Sequence, residues 1–168
     1  MKILAIDTST NVLGVGIVSH EKVIGEYITN IKRNHSTRVL PAIDFLLKDC
    51  GIDKSEIGKI VVANGPGSYT GLRIGVTIGK TLAWTLKVPI VGVSSLKLMA
   101  ASGRYFPGLI SPIMDARRGN VFTGLYKYED QELKLIEEDK HRSVEEWGHK
   151  LKEYNQPVLF VGDDSNLH

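Results

Sequence analysis

The sequence predicts a mixed α/β protein in which a helix-flanked sheet is built twice. Three observations carry that expectation. Residues 2 to 30 hold three runs rich in β-branched residues separated by polar turns. Helical periodicity then alternates with short apolar runs, and after Gly103 the order strand, strand, strand, helix, strand starts again.

The opening meander is read from KILAID at 2–7, LGVGIVS at 13–19 and KVIGEYITN at 22–30. Val39, Leu40, Ile43, Leu46 and Leu47 recur at helical spacing behind a Ser36 or Thr37 cap, with Pro41 in the first turn and Gly51 at the end. Asp53 with Glu56 spells a capping box, and KIVVA at 59–63 is apolar on both faces, as a central parallel strand would be. A Gly65-Pro66-Gly67 loop, a helix over 70–86 and a strand over 88–93 complete a βαβ unit, and a helix over 95–102 closes the first half. The second half reads as strands at 109–115, 120–128 and 133–137, a helix over 144–154 with Trp147 and Leu151 inward, and a strand at 157–162. The expected division is therefore 1–103 and 104–168, the second half being incomplete at its C-terminal end.

Composition narrows the function classes. The 168 residues include 21 Lys and Arg against 19 Asp and Glu, and no apolar run approaches the length of a membrane span. Residues 1–103 carry a net +5 and residues 104–168 a net −3, with no basic tail of the kind that grips nucleic acid by charge alone. Cys50 is the single cysteine, and no secretory or transit pattern opens the chain, so a cytoplasmic location is expected. His20, His35, His141, His149 and His168 form no metal-ligand pattern, so no metal site is expected.

Three segments are candidates for chemistry. Asp7-Thr8-Ser9-Thr10, at the end of the first strand, is either a phosphate-holding turn or a plain Asx turn closing a hairpin. GPGSYTGLR at 65–73 joins a buried strand to a helix N-terminus, where Gly65 and Gly67 permit close backbone approach to an anion. A P-loop is rejected, because Gly75 and Gly79 enclose three residues rather than four and lie inside the helix. Gly71, Gly75, Gly79 and Ala83 form a small-residue stripe, which calls for close approach by either a strand of the same domain or a partner's helix. In DARRG at 115–119, Arg117 and Arg118 could clamp an anion, or pair with Asp115 and face solvent.

The segments ILAIDTS at 3–9, HSTRVLP at 35–41, VVANGPGSYTGLRIG at 61–75, KTLAWTLKVPIVGVSSL at 80–96 and MDARRGNVF at 114–122 together resemble the bacterial TsaB (YeaZ) family. The resemblance runs from Met1 to Gly162. It implies the actin, Hsp70 and sugar-kinase (ASKHA) fold, with two ribonuclease-H-like halves. It also implies a non-catalytic partner of the transferase TsaD, which makes N6-threonylcarbamoyladenosine at tRNA position 37 with the help of the ATPase TsaE. The two metal-binding histidines of TsaD align with Ser95 and Met99, which argues against catalysis by this chain alone. The family dimerises through its first two helices, so Val39, Leu40, Ile43, Leu47, Gly71, Leu72, Gly75, Gly79 and Ala83 are the expected interface. A homodimer is expected in the partner's absence, with tRNA contacted only through the complex. No cofactor is required. ATP or ADP is the ligand that a remnant site at Asp7, Thr8, Ser9, Gly65 and Gly67, or a shared interface site, would take. The alternative reading is a stand-alone ATP-binding phosphotransferase or ATPase of the same fold.

Overall fold

The computed structural model describes every residue except 21, 32, 33, 167 and 168, so His168 lies outside the described residues. The chain divides into two compact units, Met1–Ser95 and Leu96–His168. The expected division at residue 103 moves because the helix thought to close the first half belongs, from Leu96 on, to the second. Leu96 and Ala100 are fully buried against Ile110, Met114 and Tyr126.

In the first unit, strands β1 (Lys2–Asp7), β2 (Val12–Val18) and β3 (Val23–Asn30) form an antiparallel meander. Strands β4 (Ile57–Ala63) and β5 (Ile90–Val93) add in parallel beside β1, giving the order β3-β2-β1-β4-β5. The apolar run of β4 thus takes the central, parallel place its composition suggested. Register puts Leu4 beside Ile17 and Ile60, and Ile6 beside Val15 and Val62, so these side chains share one face. Helices α1 (Val39–Asp49) and α2 (Tyr69–Leu86) both pack on that face, through Val39, Ala42, Ile43 and Leu46 from α1 and Ala83 from α2.

The start of α1 differs from the expected cap. Asn34, not Ser36 or Thr37, accepts the Ser36 N–H and opens a 3-10 turn at His35–Thr37, and α1 begins after Arg38 with no side-chain cap. Arg38 instead sends its guanidinium to the Thr29 hydroxyl at 2.6 Å. The capping box of Asp53 and Glu56 forms as expected.

The second unit repeats the pattern. Its α3 (Ser95–Ala100) leads to β6 (Leu109–Asp115), β7 (Asn120–Glu129) and β8 (Glu132–Ser143), an antiparallel meander. Helix α4 (Val144–Glu153) follows, then β9 (Val158–Val161), parallel to β6, so the sheet order is β8-β7-β6-β9. Both sheets have the strand order and sense of a ribonuclease-H-like half. Trp147 and Leu151 are buried as expected, and the Trp147 indole donates to the Ser111 hydroxyl at 3.0 Å. Strand β8 runs past its expected end at residue 137 because β7 offers ten residues of partner and pairing continues to Asn120 opposite Ser143.

Candidate functional site

The β1–β2 turn and the N-terminus of α2 meet as the sequence motifs suggested. Asp7 accepts the Ser9 N–H at 2.8 Å in an Asx turn. The Ser9 carbonyl takes the Ser68 N–H at 2.7 Å, and the Thr8 hydroxyl donates to the Gly71 carbonyl at 2.7 Å. Thr8 and Ser9 are buried, and a Cβ at Gly67 would overlap the Ser9 carbonyl oxygen, whereas the Gly65 carbonyl accepts the Ser95 N–H.

This contact accounts for the small-residue stripe. A Cβ at Gly71 would overlap the Thr8 carbonyl oxygen, one at Gly75 the Thr8 hydroxyl, and one at Gly79 would lie 2.5 Å from Val62. The stripe therefore packs on β1 and β4 of its own unit. Val39 and Ile43 likewise face the core, and Leu47 is half-buried against it. Of the residues expected at a partner interface, Leu40 alone is exposed. The correction has a plain cause: apolar periodicity marks the face a helix turns toward its own sheet.

That opposite face is distinctive on α2. Tyr69, Arg73, Lys80 and Trp84 recur at i, i+4, i+11 and i+15 and are all exposed, Trp84 at 85% and Tyr69 at 74%. The Arg73 guanidinium stands 5.3 Å from the Tyr69 ring centroid. Sequence reasoning missed this row, although the aromatic and basic residues opposite the glycines were its signal.

Beside the α2 N-terminus lies a cavity of about 390 Å³, lined by Thr10, Asn11, Asn34, His35, Ser68, Thr70, Gly71, Ile31 and Ile74. The His35 Nε2 bonds the Thr10 carbonyl at 2.7 Å, so Nε2 carries the proton there. Its Nδ1 is buried without a hydrogen-bond partner among the described residues. Ser95 is buried with its N–H on the Gly65 carbonyl at 2.9 Å, and its hydroxyl also has no partner among the described residues. Met99, in the second unit, packs toward Gly162. No group of three His, Cys, Asp or Glu side chains among the described residues could hold a metal ion. Arg117, Arg118 and Gly119 turn the β6–β7 hairpin with φ of 66°, 54° and 71°, and the Asp115 carboxylate accepts the Arg117 N–H at 3.0 Å. Both arginines are exposed.

The whole chain is 55% identical to a Bacillus subtilis tRNA threonylcarbamoyladenosine biosynthesis protein, TsaB, and spans 73% of that protein. The chain belongs to the TsaB family. A TsaB of Escherichia coli is 33% identical over 77% of this chain and 57% of its own length. The family model described as TsaD, tRNA N6-adenosine threonylcarbamoyltransferase, matches residues 22–168. The YeaZ structure from Pseudomonas aeruginosa superposes with a TM-score of 0.77 at 28% identity, covering 83% of this chain and 66% of that one. In this chain α1 and α2 both pack on one face of the first sheet, and Leu40, Phe45, Tyr69 and Trp84 on them are exposed. No helix among the described residues is long and apolar enough to cross a membrane.

Proposed function

We propose that this chain is a non-catalytic subunit that pairs with TsaD in the cytoplasm in forming N6-threonylcarbamoyladenosine at tRNA position 37. The observation that carries the reading is the outward face of α1 and α2, where Leu40 is 50% and Trp84 85% exposed. Large apolar side chains gathered on a helix pair mark a protein-binding surface. The positions where TsaD would carry metal-binding histidines hold Ser95 and Met99, which supports a supporting rather than a catalytic role. In this reading TsaE joins the pair in a larger complex, tRNA is touched through the complex, and the chain self-associates when TsaD is absent. No cofactor of its own is required, and ATP or ADP would sit at a shared interface, since the Thr8 hydroxyl is already committed to Gly71.

Mixing the chain with TsaD of the same organism and measuring particle mass by light scattering tests this. A stable particle of the combined mass is the expected outcome. Two separate species at micromolar concentration, or sustained ATP hydrolysis by the chain alone, would overturn it in favour of a stand-alone phosphotransferase.

A further inference from the structure

The partner reading gives no role to the turn between β6 and β7, and that turn is strained. Arg117, Arg118 and Gly119 follow one another at φ of 66°, 54° and 71°, a backbone region that residues other than Gly, Asn and Asp rarely enter. Hydrogen bonds on every side hold them there. The Ala116 N–H donates to the Asn120 carbonyl at 2.9 Å, the Asn120 N–H to the Arg117 carbonyl at 3.1 Å, and the Arg117 N–H to the Asp115 carboxylate at 3.0 Å. The Asn120 side-chain amide reaches the Arg118 carbonyl at 3.2 Å, and the Val144 N–H at the start of α4 reaches the Gly119 carbonyl at 3.0 Å. An Asn-Gly pair would form such a turn with less strain, so two arginines held in it call for a role outside the turn itself. Both are exposed, and neither takes part in an ion pair among the described residues. The Asp115 and Asp164 carboxylates accept backbone N–H groups, of Arg117 and, at 2.9 Å, of Asp115.

We propose that Arg117 and Arg118 contact the phosphodiester backbone of the tRNA on which the assembled complex acts. The inference rests on the partner reading above and names the part of this chain that meets the RNA. A guanidinium binds phosphate oxygens through parallel N–H donors and keeps its charge at any physiological pH. Two of them in succession, on a turn fixed by its own hydrogen bonds, reach a polyanion with little left to order. An exposed hairpin tip suits an extended backbone better than a free nucleotide, which needs concave walls around it. It also suits RNA better than protein, because a protein interface sets large apolar side chains among its arginines and this tip offers only Ala116 and Gly119. Residues 104–168 carry a net −3, so the pair supplies two local contacts that fix position, without a broad field that recruits RNA.

The test measures binding of unmodified tRNA to the assembled pair of this chain and TsaD, by fluorescence anisotropy across a salt series. Two double variants are compared with the wild type: Arg117→Gly with Arg118→Asn, and Arg117→Lys with Arg118→Lys. The first builds an Asn-Gly turn, so its melting temperature should rise while both charges are lost. The expected result for it is a Kd raised about fivefold and a slope of log Kd against log salt smaller by about 1.5, the value for two lost phosphate contacts. The lysine variant keeps the charges and should retain the wild-type slope. A first variant with Kd within about twofold of the wild type and slope within about 0.5 overturns the inference and leaves the partner reading standing. So does a wild-type pair that assembles but binds no tRNA. Light scattering of the protein mixtures separates the remaining outcomes. Absence of any wild-type particle overturns both readings, whereas loss of the particle in the first variant alone assigns the turn to TsaD and overturns the inference. A first variant that keeps tRNA and loses ATP binding assigns the arginines to a nucleotide, and overturns it too.

Discussion

Thr8 and the first two glycines of α2, Gly71 and Gly75, act as one unit. The hydroxyl of a buried threonine is satisfied by a helix carbonyl, and the helix comes close enough to accept it only because Gly71 and Gly75 carry no side chain. Alanine normally strengthens a helix interior by about 1 kcal/mol over glycine. Here the added methyl meets the Thr8 backbone oxygen at Gly71 and the hydrogen-bonded Thr8 hydroxyl at Gly75, so Gly71→Ala and Gly75→Ala are each expected to cost about 1–3 kcal/mol. Gly148 in α4 is the internal control, since a Cβ there meets nothing within 4 Å. Gly148→Ala should stabilise by about 0.5–1 kcal/mol. Urea midpoints of the three variants check both signs. The four-residue spacing of the glycines was legible in the sequence, but its owner was not. A stripe of small residues says that something approaches closely, and only packing shows it to be Thr8 and Val62.

At the scale of elements, α4 is tied to β8 by a polar cluster that no local pattern announces. Glu137 on β8 takes the Lys150 ammonium at 2.8 Å and the Tyr154 hydroxyl at 2.6 Å, while Arg142 lies 3.5 Å from its other oxygen and 4.6 Å from the Trp147 ring. The Lys150 and Tyr154 hydrogen bonds hold the Glu137 carboxyl below its ordinary value. Its contribution to stability is therefore present above the usual carboxylate range and lost as pH falls through the depressed value. The bond to Glu137, followed by burial, pushes the Tyr154 phenol up to about 12. That contribution is complete below pH 10 and disappears as pH rises from 10.0 to about 12. Tyr154→Phe should cost about 1 kcal/mol at neutral pH and remove this part of the alkaline decline, whereas Glu137→Gln should flatten the acid limb as well. Chemical denaturation across the pH range reads both. Helix periodicity exposes α4 in the sequence, with Trp147 and Leu151 four apart, yet the expected β8 stops six residues short of Ser143 because its outer half carries charged rather than alternating apolar residues. Its length is set by pairing with β7, a partner outside its own sequence window. The end of α2 shows the same limit: Lys87 closes the helix at φ 57°, a place where sequence rules look for glycine.

For the molecule as a whole, the corrected inner and outer faces of α1 and α2 change which substitutions probe assembly. Ile43→Glu would bury a charge among Val39, Leu46 and the sheet, so it should unfold the first unit rather than test an interface. Leu40→Glu, on the exposed side, should leave the melting temperature unchanged and weaken assembly with TsaD, which sedimentation of the mixed proteins would show. An unaffected complex would place the contact elsewhere. The sequence by itself determined the α/β class, the doubled meander, the βαβ unit and membership of the TsaB family, because each is written in local periodicity, turn residues or contiguous motifs. Only the tertiary structure decided that the units part after Ser95, that the glycine stripe faces its own sheet, and that Trp84 with its cationic neighbours faces outward. The reason is physical: a helix's sequence shows that it has two faces, but which face is buried depends on what the rest of the chain brings against it.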